Sequence, residues 1–252
     1  MNLTHLTTRT AAALFCAAAL TTLSACNADN PASDHKSTGK PTSKAGSRPG
    51  AKTNGIAKLS TDAIYNTATR ANAEAGSLRE QMTRKGTDAD LRLSATECAG
   101  TVNKADEGSY EIIRKGPDVW IKPSAKFAAW MTQATGTPFS DSVWLHGAPT
   151  NPVTRALASY CHPELFNAPD TSGGGLKKGR ATQLDGMPVT SLVRTGKAGK
   201  SVTYYIASTG SPNLVMQDVT GSTTSPDLTY SDFGKPVGAQ KPTGRIVEAP
   251  KD

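Results

Sequence analysis

The residue with the clearest chemical assignment is a cysteine near the amino terminus. The stretch Leu23-Ser24-Ala25-Cys26 follows a short apolar run and precedes a long polar segment. A thiol can be alkylated to a thioether that carries diacylglycerol, and small residues before it let processing enzymes reach the backbone. The stretch is typical of a lipobox, where a bacterial secretory precursor is lipidated on Cys26 (diacylglycerol, palmitate) and cut just before it. The alternative is a secreted protein with an incidental cysteine.

Residues 1–25 have the three parts of a signal peptide. Arg9 comes first with no acidic residue near it, the run AAALFCAAAL follows at 11–20, and small residues precede Cys26. Ten apolar residues span only about 15 Å as a helix, against a bilayer core of about 30 Å. The segment is therefore predicted to target the chain and not to anchor it.

Two further cysteines are predicted to form a disulfide. Cys16 leaves with the signal peptide and Cys26 is lipidated, so Cys98 and Cys161 remain in the mature chain. Outside the membrane, two such cysteines usually pair. Closing a loop of about 64 residues contributes roughly 4 kcal/mol in the chain-entropy model. No CxxC or HxxxH pattern accompanies them, so neither a metal site nor a cofactor is expected.

Motifs for catalysis fail on inspection. Gly199-Lys200-Ser201 resembles the end of a phosphate-binding loop, but that motif needs glycine where Arg194 stands. There is no GxSxG, and spacing supplies no partner for His146 or His162. We therefore expect no catalytic residue and no enzyme. The Gly173-Gly174-Gly175 stretch with its following lysines could bind an anion such as a lipid head group, but a surface loop is favoured.

The positive charge is concentrated in a linker. The net charge of the chain is +7, yet residues 59–252 carry 21 basic and 19 acidic residues, which excludes a nucleic-acid footprint. Residues 26–58, which begin with the lipidated cysteine, are rich in Ser, Thr, Gly, Pro and Lys and are predicted to be disordered. A flexible coil of about 32 residues spans roughly 30 Å r.m.s..

Residues 59–252 have the length of one domain. The opening LSTDAIYNTATRANAEAG predicts a helix with Ser60 or Thr61 as its cap. Further helices are predicted over 124–135 and 151–166. Alternating apolar residues predict strands over 78–84, 90–96, 109–114, 118–122, 139–145, 180–184, 188–194, 201–208, 213–219 and 227–233. Together they predict an α+β fold with helices on one side of an antiparallel sheet.

Several stretches resemble a known family. They are SLREQM, CAGTV, EIIRKGPDVWIKPSAKFAAW and VWLHG, then LDGMPVTSLV, VTYYIASTGSPNLV and LTYSDFGKPV. The chain resembles the LolA-like lipoproteins of the LppX/LprG type from high-GC Gram-positive envelopes. The resemblance implies a strongly curved antiparallel sheet, a half-barrel, wrapped around two or three helices with an apolar cavity between. The positions implied to line that cavity are Trp120, Phe127, Trp130, Trp144 and Leu157.

Members of that superfamily bind or carry lipids and lipoproteins. The expected protein is a monomer attached to the extracytoplasmic face of the cell membrane through Cys26, with a lipid or other apolar ligand in its cavity. The alternative is a tethered protein-interaction scaffold whose cavity has collapsed.

Overall fold

The computed structural model describes residues 52–167, 175–196, 199–222 and 225–251. Residues 1–51, which carry the predicted signal peptide, the lipobox and most of the predicted linker, lie outside the described residues. The segment 52–58, assigned above to the linker, packs on the domain. Ile56 is only 3% exposed within the core, and Thr53 forms a β-bridge with Thr209. The folded domain therefore begins before Leu59.

Three α-helices occur in the described part of the chain, and each begins at a side-chain cap. The Ser60 hydroxyl accepts a hydrogen bond from the Ala63 amide at the start of α1, Thr61–Glu74. Ser124 caps α2, Ala125–Thr135, in the same way. Asn151 accepts from two amides at the start of α3, Pro152–Leu157.

Among the described residues, thirteen strands form one open sheet in the order β13-β6-β5-β4-β3-β2-β1-β12-β11-β10-β9-β7, with β8 paired to β9. Of the strand pairs that the structure describes, only β13–β6 is parallel. The β1–β12 pairing joins the two halves of the chain. The strands are β1 Ser77–Arg84, β2 Thr87–Ser94, β3 Glu97–Lys104, β4 Gly108–Lys115, β5 Asp118–Pro123, β6 Trp144–Gly147, β7 Leu176–Lys178, β8 Thr182–Leu184, β9 Met187–Thr195, β10 Ser201–Ala207, β11 Leu214–Thr220, β12 Asp227–Ser231 and β13 Ile246–Glu248.

The two faces of the sheet differ in character. We call the face that packs against the helices the inner face, and its buried residues form one apolar cluster with Ile64 and Ala68 of α1. Alternate residues of each strand supply it, as period-two geometry requires. Its largest fully buried members from the strands are Leu78, Leu91, Leu93, Tyr110, Ile112, Ile121, Leu192 and Ile206. The opposite face is the outer face.

Some predicted elements differ from those observed. The helix predicted over 151–166 ends at Leu157 and continues as two short 3-10 helices, Ala158–Tyr160 and Pro163–Phe166. An α-helix cannot run through to residue 166, because Pro163 lacks an amide donor and restricts the residue before it. We call residues 158–166 the strap. Of the strand predicted over 139–145, only its last two residues fall within β6.

Candidate functional site

The strap closes over the inner face. Its second 3-10 helix contacts both α1 and β2, so it lies against the helix and the sheet at once. Cys161 is bonded to Cys98 of β3, with 5.9 Å between the Cα atoms, as the sequence predicts. Both sulfur-bearing residues belong to the inner cluster, and Leu165 and Phe166 pack against it. The disulfide therefore ties the cover of the inner face to the middle of the sheet.

A buried carboxylate lies under the strap. Glu80 is an inner-face residue of β1, between Leu91 and Tyr230 on the neighbouring strands, and its side chain is 1% exposed. His162 Nδ1 lies 3.1 Å from one of its carboxylate oxygens and 3.3 Å from the other. The hydrogen bond with Glu80 raises the pKa of His162, against the opposing effect of burial. The pair thus favours a charged imidazolium beside a buried carboxylate.

Two of the residues predicted to line a cavity come together on the inner side. Phe127 is fully buried in the cluster, and its ring lies 4.9 Å from that of Tyr110. The Tyr110 hydroxyl donates a hydrogen bond to the carbonyl of Leu157, which links β4 to α3. Burial raises the pKa of this phenol. Phe127 and Leu157 are therefore held in one assembly of sheet and helices.

Trp130 sits at the surface beside this assembly. Its ring stacks on Phe127 at 5.4 Å, yet the residue is 38% exposed. The Lys104 ammonium lies 5.6 Å from the ring centroid, within cation–π range. Trp130 therefore covers the core from outside and does not enter it.

Trp120 and Trp144 lie on the outer face. Trp120 stands between Val119 and Ile121, and both of these belong to the inner cluster. Strand alternation therefore directs its ring outward, where it stacks on His146 at 5.5 Å. Trp144 likewise precedes the inward-facing Leu145. Neither tryptophan lines the space between the sheet and the helices.

His146 is held between two carboxylates. Its Nδ1 lies 2.8 Å from Glu248 and its Nε2 lies 2.8 Å from Asp118. Hydrogen bonds to Glu248 and then Asp118 raise its pKa, because only the imidazolium donates from both nitrogens. Open clefts of about 540 Å³ and 480 Å³ flank it. With both nitrogens engaged, the ring has no free site to take a proton from a hydroxyl group.

The remaining sequence motifs take structural positions. Gly199-Lys200-Ser201 joins β9 to β10, as the strand pattern predicts. Gly173 and Gly174 lie outside the described residues, whereas the lysines after them form β7, and Lys178 donates to the Ala57 carbonyl. Within the described ranges, no cluster of three or more His, Cys, Asp or Glu side chains is arranged to hold a metal ion. No described helix is both long and apolar enough to cross a bilayer.

Comparison with solved structures identifies the fold. No protein-family model matches the chain, and no curated protein matches its sequence. The crystal structure of LprF from Mycobacterium bovis is similar over 77% of this chain and 100% of LprF, at 13% identity and a TM-score of 0.52. The chain has the LolA-like fold. Lipoprotein LppX from Mycobacterium tuberculosis is similar over 71% of this chain and 98% of its own, at 19% identity and a TM-score of 0.49.

The fold predicted from the sequence is therefore confirmed as an open, curved, mainly antiparallel LolA-like sheet. The residue missed by sequence reasoning is Glu80. Its signal was present, because it occupies the inward position between Leu78 and Met82 in an alternating strand. A carboxylate at such a position requires a partner, and His162 is that partner.

Proposed function

We propose that this protein is a lipid-anchored extracytoplasmic lipoprotein that binds a lipid or another apolar ligand between its sheet and its helices. The observation that carries the proposal is the cover of the inner face. A second sheet packed on the inner face would seal it. In this protein the inner face is covered instead by α1 and the strap, and these two elements contact each other. The resemblance to lipid-carrying LolA-like lipoproteins supports the same reading, as an analogy of fold.

Binding on this face requires the cover to move. The inner-face side chains contact one another in a single cluster, so a ligand must displace α1, the strap or both. Each square ångström of apolar ligand surface removed from water contributes about 25 cal/mol to binding. This gain compensates for the contacts between core residues that are lost when α1 or the strap is displaced. Because the disulfide fixes the strap at Cys161, α1 is the element that we expect to shift. No covalent step is involved.

The anchor follows from Cys26. The folded part begins close to Lys52, so about 26 residues separate it from the proposed lipid, a spacer of roughly 30 Å r.m.s. if flexible. Two acyl chains give stable attachment where one is marginal. Metabolic labelling with a fatty acid tests this: label should enter the wild-type protein and be lost in Cys26→Ala, and persistent labelling would refute the lipobox.

The ligand proposal is tested by mass spectrometry of lipids that co-purify in mild detergent. Ala68→Phe adds a ring on the buried face of α1, and Arg70→Phe adds the same ring on its exposed face. We expect the first variant to carry less lipid and the second to match the wild type, with both folded by circular dichroism. Wild-type protein that carries no lipid, and shows no thermal shift with lipid extracts, would overturn the proposal.

A second candidate is a tethered scaffold that binds another protein. The observation in its favour is the continuous packing of the inner cluster, together with the open clefts around His146 on the outer face. This candidate requires that lipid extracts leave the melting temperature unchanged. It also requires that Trp120→Ala, on the outer face, weaken partner binding more than Ala68→Phe does.

A further inference from the structure

Arg194 is an inner-face arginine that has no counter-ion among the described residues. Arg194 is near the end of β9, two residues after the buried Leu192, and its cross-strand neighbours are Leu176 and Val202. Its side chain therefore points to the side of the sheet that α1 covers. By contrast, two arginines on the outer face have carboxylate partners: Arg79 is paired with Asp90 and Arg92 with Asp232.

The guanidinium of Arg194 lies against two tyrosine rings. It is 5.7 Å from the ring centroid of Tyr65, on α1, and 5.6 Å from that of Tyr204, on β10. The two rings meet edge to face at 5.1 Å. Among the described residues, Arg194 forms no ion pair, and its buried Nε has no hydrogen-bond partner. The aromatic faces hold the cation in place but leave its planar donors unused.

Such an arrangement suits an anion with several oxygen atoms. Arginine binds carboxylates and phosphates through two parallel N–H···O bonds from one edge of its planar guanidinium. This edge can remain free while aromatic rings lie against the cation. Tyr65 lies early in α1, whose amino-terminal end also favours negative charge. A buried donor without a partner is costly, so a bound anion would complete the site.

We propose that Arg194, held by Tyr65 and Tyr204, binds the anionic phosphate or carboxylate head group of the ligand, whose apolar chains lie on the inner face. This inference rests on the proposed function and narrows it to acidic amphiphiles. It assigns the head group to the end of the sheet where β9 meets β7 and the first turns of α1. The neutral part of the ligand then extends toward the apolar cluster around Leu192 and Ile206.

The test compares two lipids with identical acyl chains, phosphatidic acid and diacylglycerol, in a fluorescence displacement assay. The wild-type protein should prefer phosphatidic acid by about tenfold or more, as expected for a charge-assisted contact. Arg194→Leu should lose that preference and keep its affinity for diacylglycerol. Arg194→Lys should restore part of it, because a lysine keeps the charge without the planar fork.

Arg114 supplies a matched control. It also lies on the inner face, on β4 opposite Cys98, and its buried Nε has no partner among the described residues. It differs from Arg194 because no aromatic ring of the described residues lies within cation–π range of it. Arg114→Leu should leave the preference for phosphatidic acid intact. If both variants lose the preference for phosphatidic acid equally, the preference comes from the overall charge of the protein, and the assignment is overturned. The assignment is also overturned if Arg194→Leu changes the melting temperature but leaves the preference for phosphatidic acid unaltered.

The remaining outcomes separate the two proposals. If the wild-type protein binds both lipids equally, the head-group assignment fails and the proposed function stands. If it binds neither, carries no co-purified lipid and shows no thermal shift with lipid extracts, the proposed function fails and the assignment fails with it. If millimolar glycerol phosphate abolishes the preference for phosphatidic acid, the site binds soluble phosphates, which overturns its assignment to a lipid.

Discussion

Replacing His162 by alanine should lower the free energy of unfolding more than replacing any exposed charged residue would. Glu80 is 1% exposed and His162 is 25% exposed, so His162→Ala leaves a carboxylate buried without its partner. Breaking a fully buried pair costs about 3–5 kcal/mol, and the partial exposure of His162 places the expected loss near the lower end, about 3 kcal/mol. For a domain of this size, that corresponds to a fall of roughly 6–12 °C in melting temperature.

The effect should depend on pH in a defined direction. Glu80 raises the pKa of His162 in the folded state above its value in the unfolded chain. A raised pKa means that the folded protein holds the proton more tightly, so the stabilisation is complete below about pH 6.5. It then declines as pH rises through the folded-state pKa. Nearby groups are Tyr230, whose own pKa is raised mainly by burial and then by Glu80, and the carboxylate of Glu164.

Urea unfolding from pH 5.5 to 8.5 measures how the free energy of unfolding depends on pH. The wild type should lose stability with rising pH, and His162→Ala should lack that component. The double variant Glu80→Gln/His162→Ala should recover part of the loss, because it removes the unpaired charge. Lys235→Ala breaks a surface pair with Asp232 and should leave the stability close to that of the wild type. A His162→Ala protein as stable as the wild type at pH 6 would refute the reasoning.

Three further predictions concern stability. Replacing Cys98 and Cys161 together by alanine should cost about 4 kcal/mol, seen as a lower urea midpoint that reducing agent no longer changes. Asn72→Ala removes three buried hydrogen bonds that join α1 to β11 and should cost about 3 kcal/mol in the same assay, whereas a loss below about 1 kcal/mol would contradict it. Gly100→Ala places a Cβ 2.0 Å from the Asp90 carbonyl oxygen and should cost about 2–3 kcal/mol, and unchanged thermal melting would show that the strands shift freely.

Elements with local signals could be predicted from the sequence. The β4–β5 hairpin turns at Gly116, and Ser124 caps α2, close to the predicted positions. Both depend on residues within a few positions of one another, namely a glycine at positive φ and a hydroxyl cap. By contrast, β3, β7 and β13 were not predicted. The first has Gly100 at its middle, and the other two are three residues long and are defined by distant partners.

The candidate site depended on contacts that local spacing cannot supply. Glu80 and His162 are 82 residues apart in the sequence, and the disulfide-linked strap brings them together. The placement of Trp120 could have been predicted, because the alternation of Val119 and Ile121 already directs it to the outer face. In the sequence, Arg194 is recognisable only as the residue that interrupts a phosphate-loop motif. The two tyrosines that contact it belong to separate elements, α1 and β10.

The edge strands of the open sheet affect how copies of this protein interact when they lie close together. β13 at one edge and β7 and β8 at the other are each three residues long, and exposed charges occur on them at Glu248, Lys177 and Lys178. Short, charged edge strands are poor templates for adding a strand from another molecule. Many copies concentrated on one surface would therefore resist joining edge to edge into fibrils.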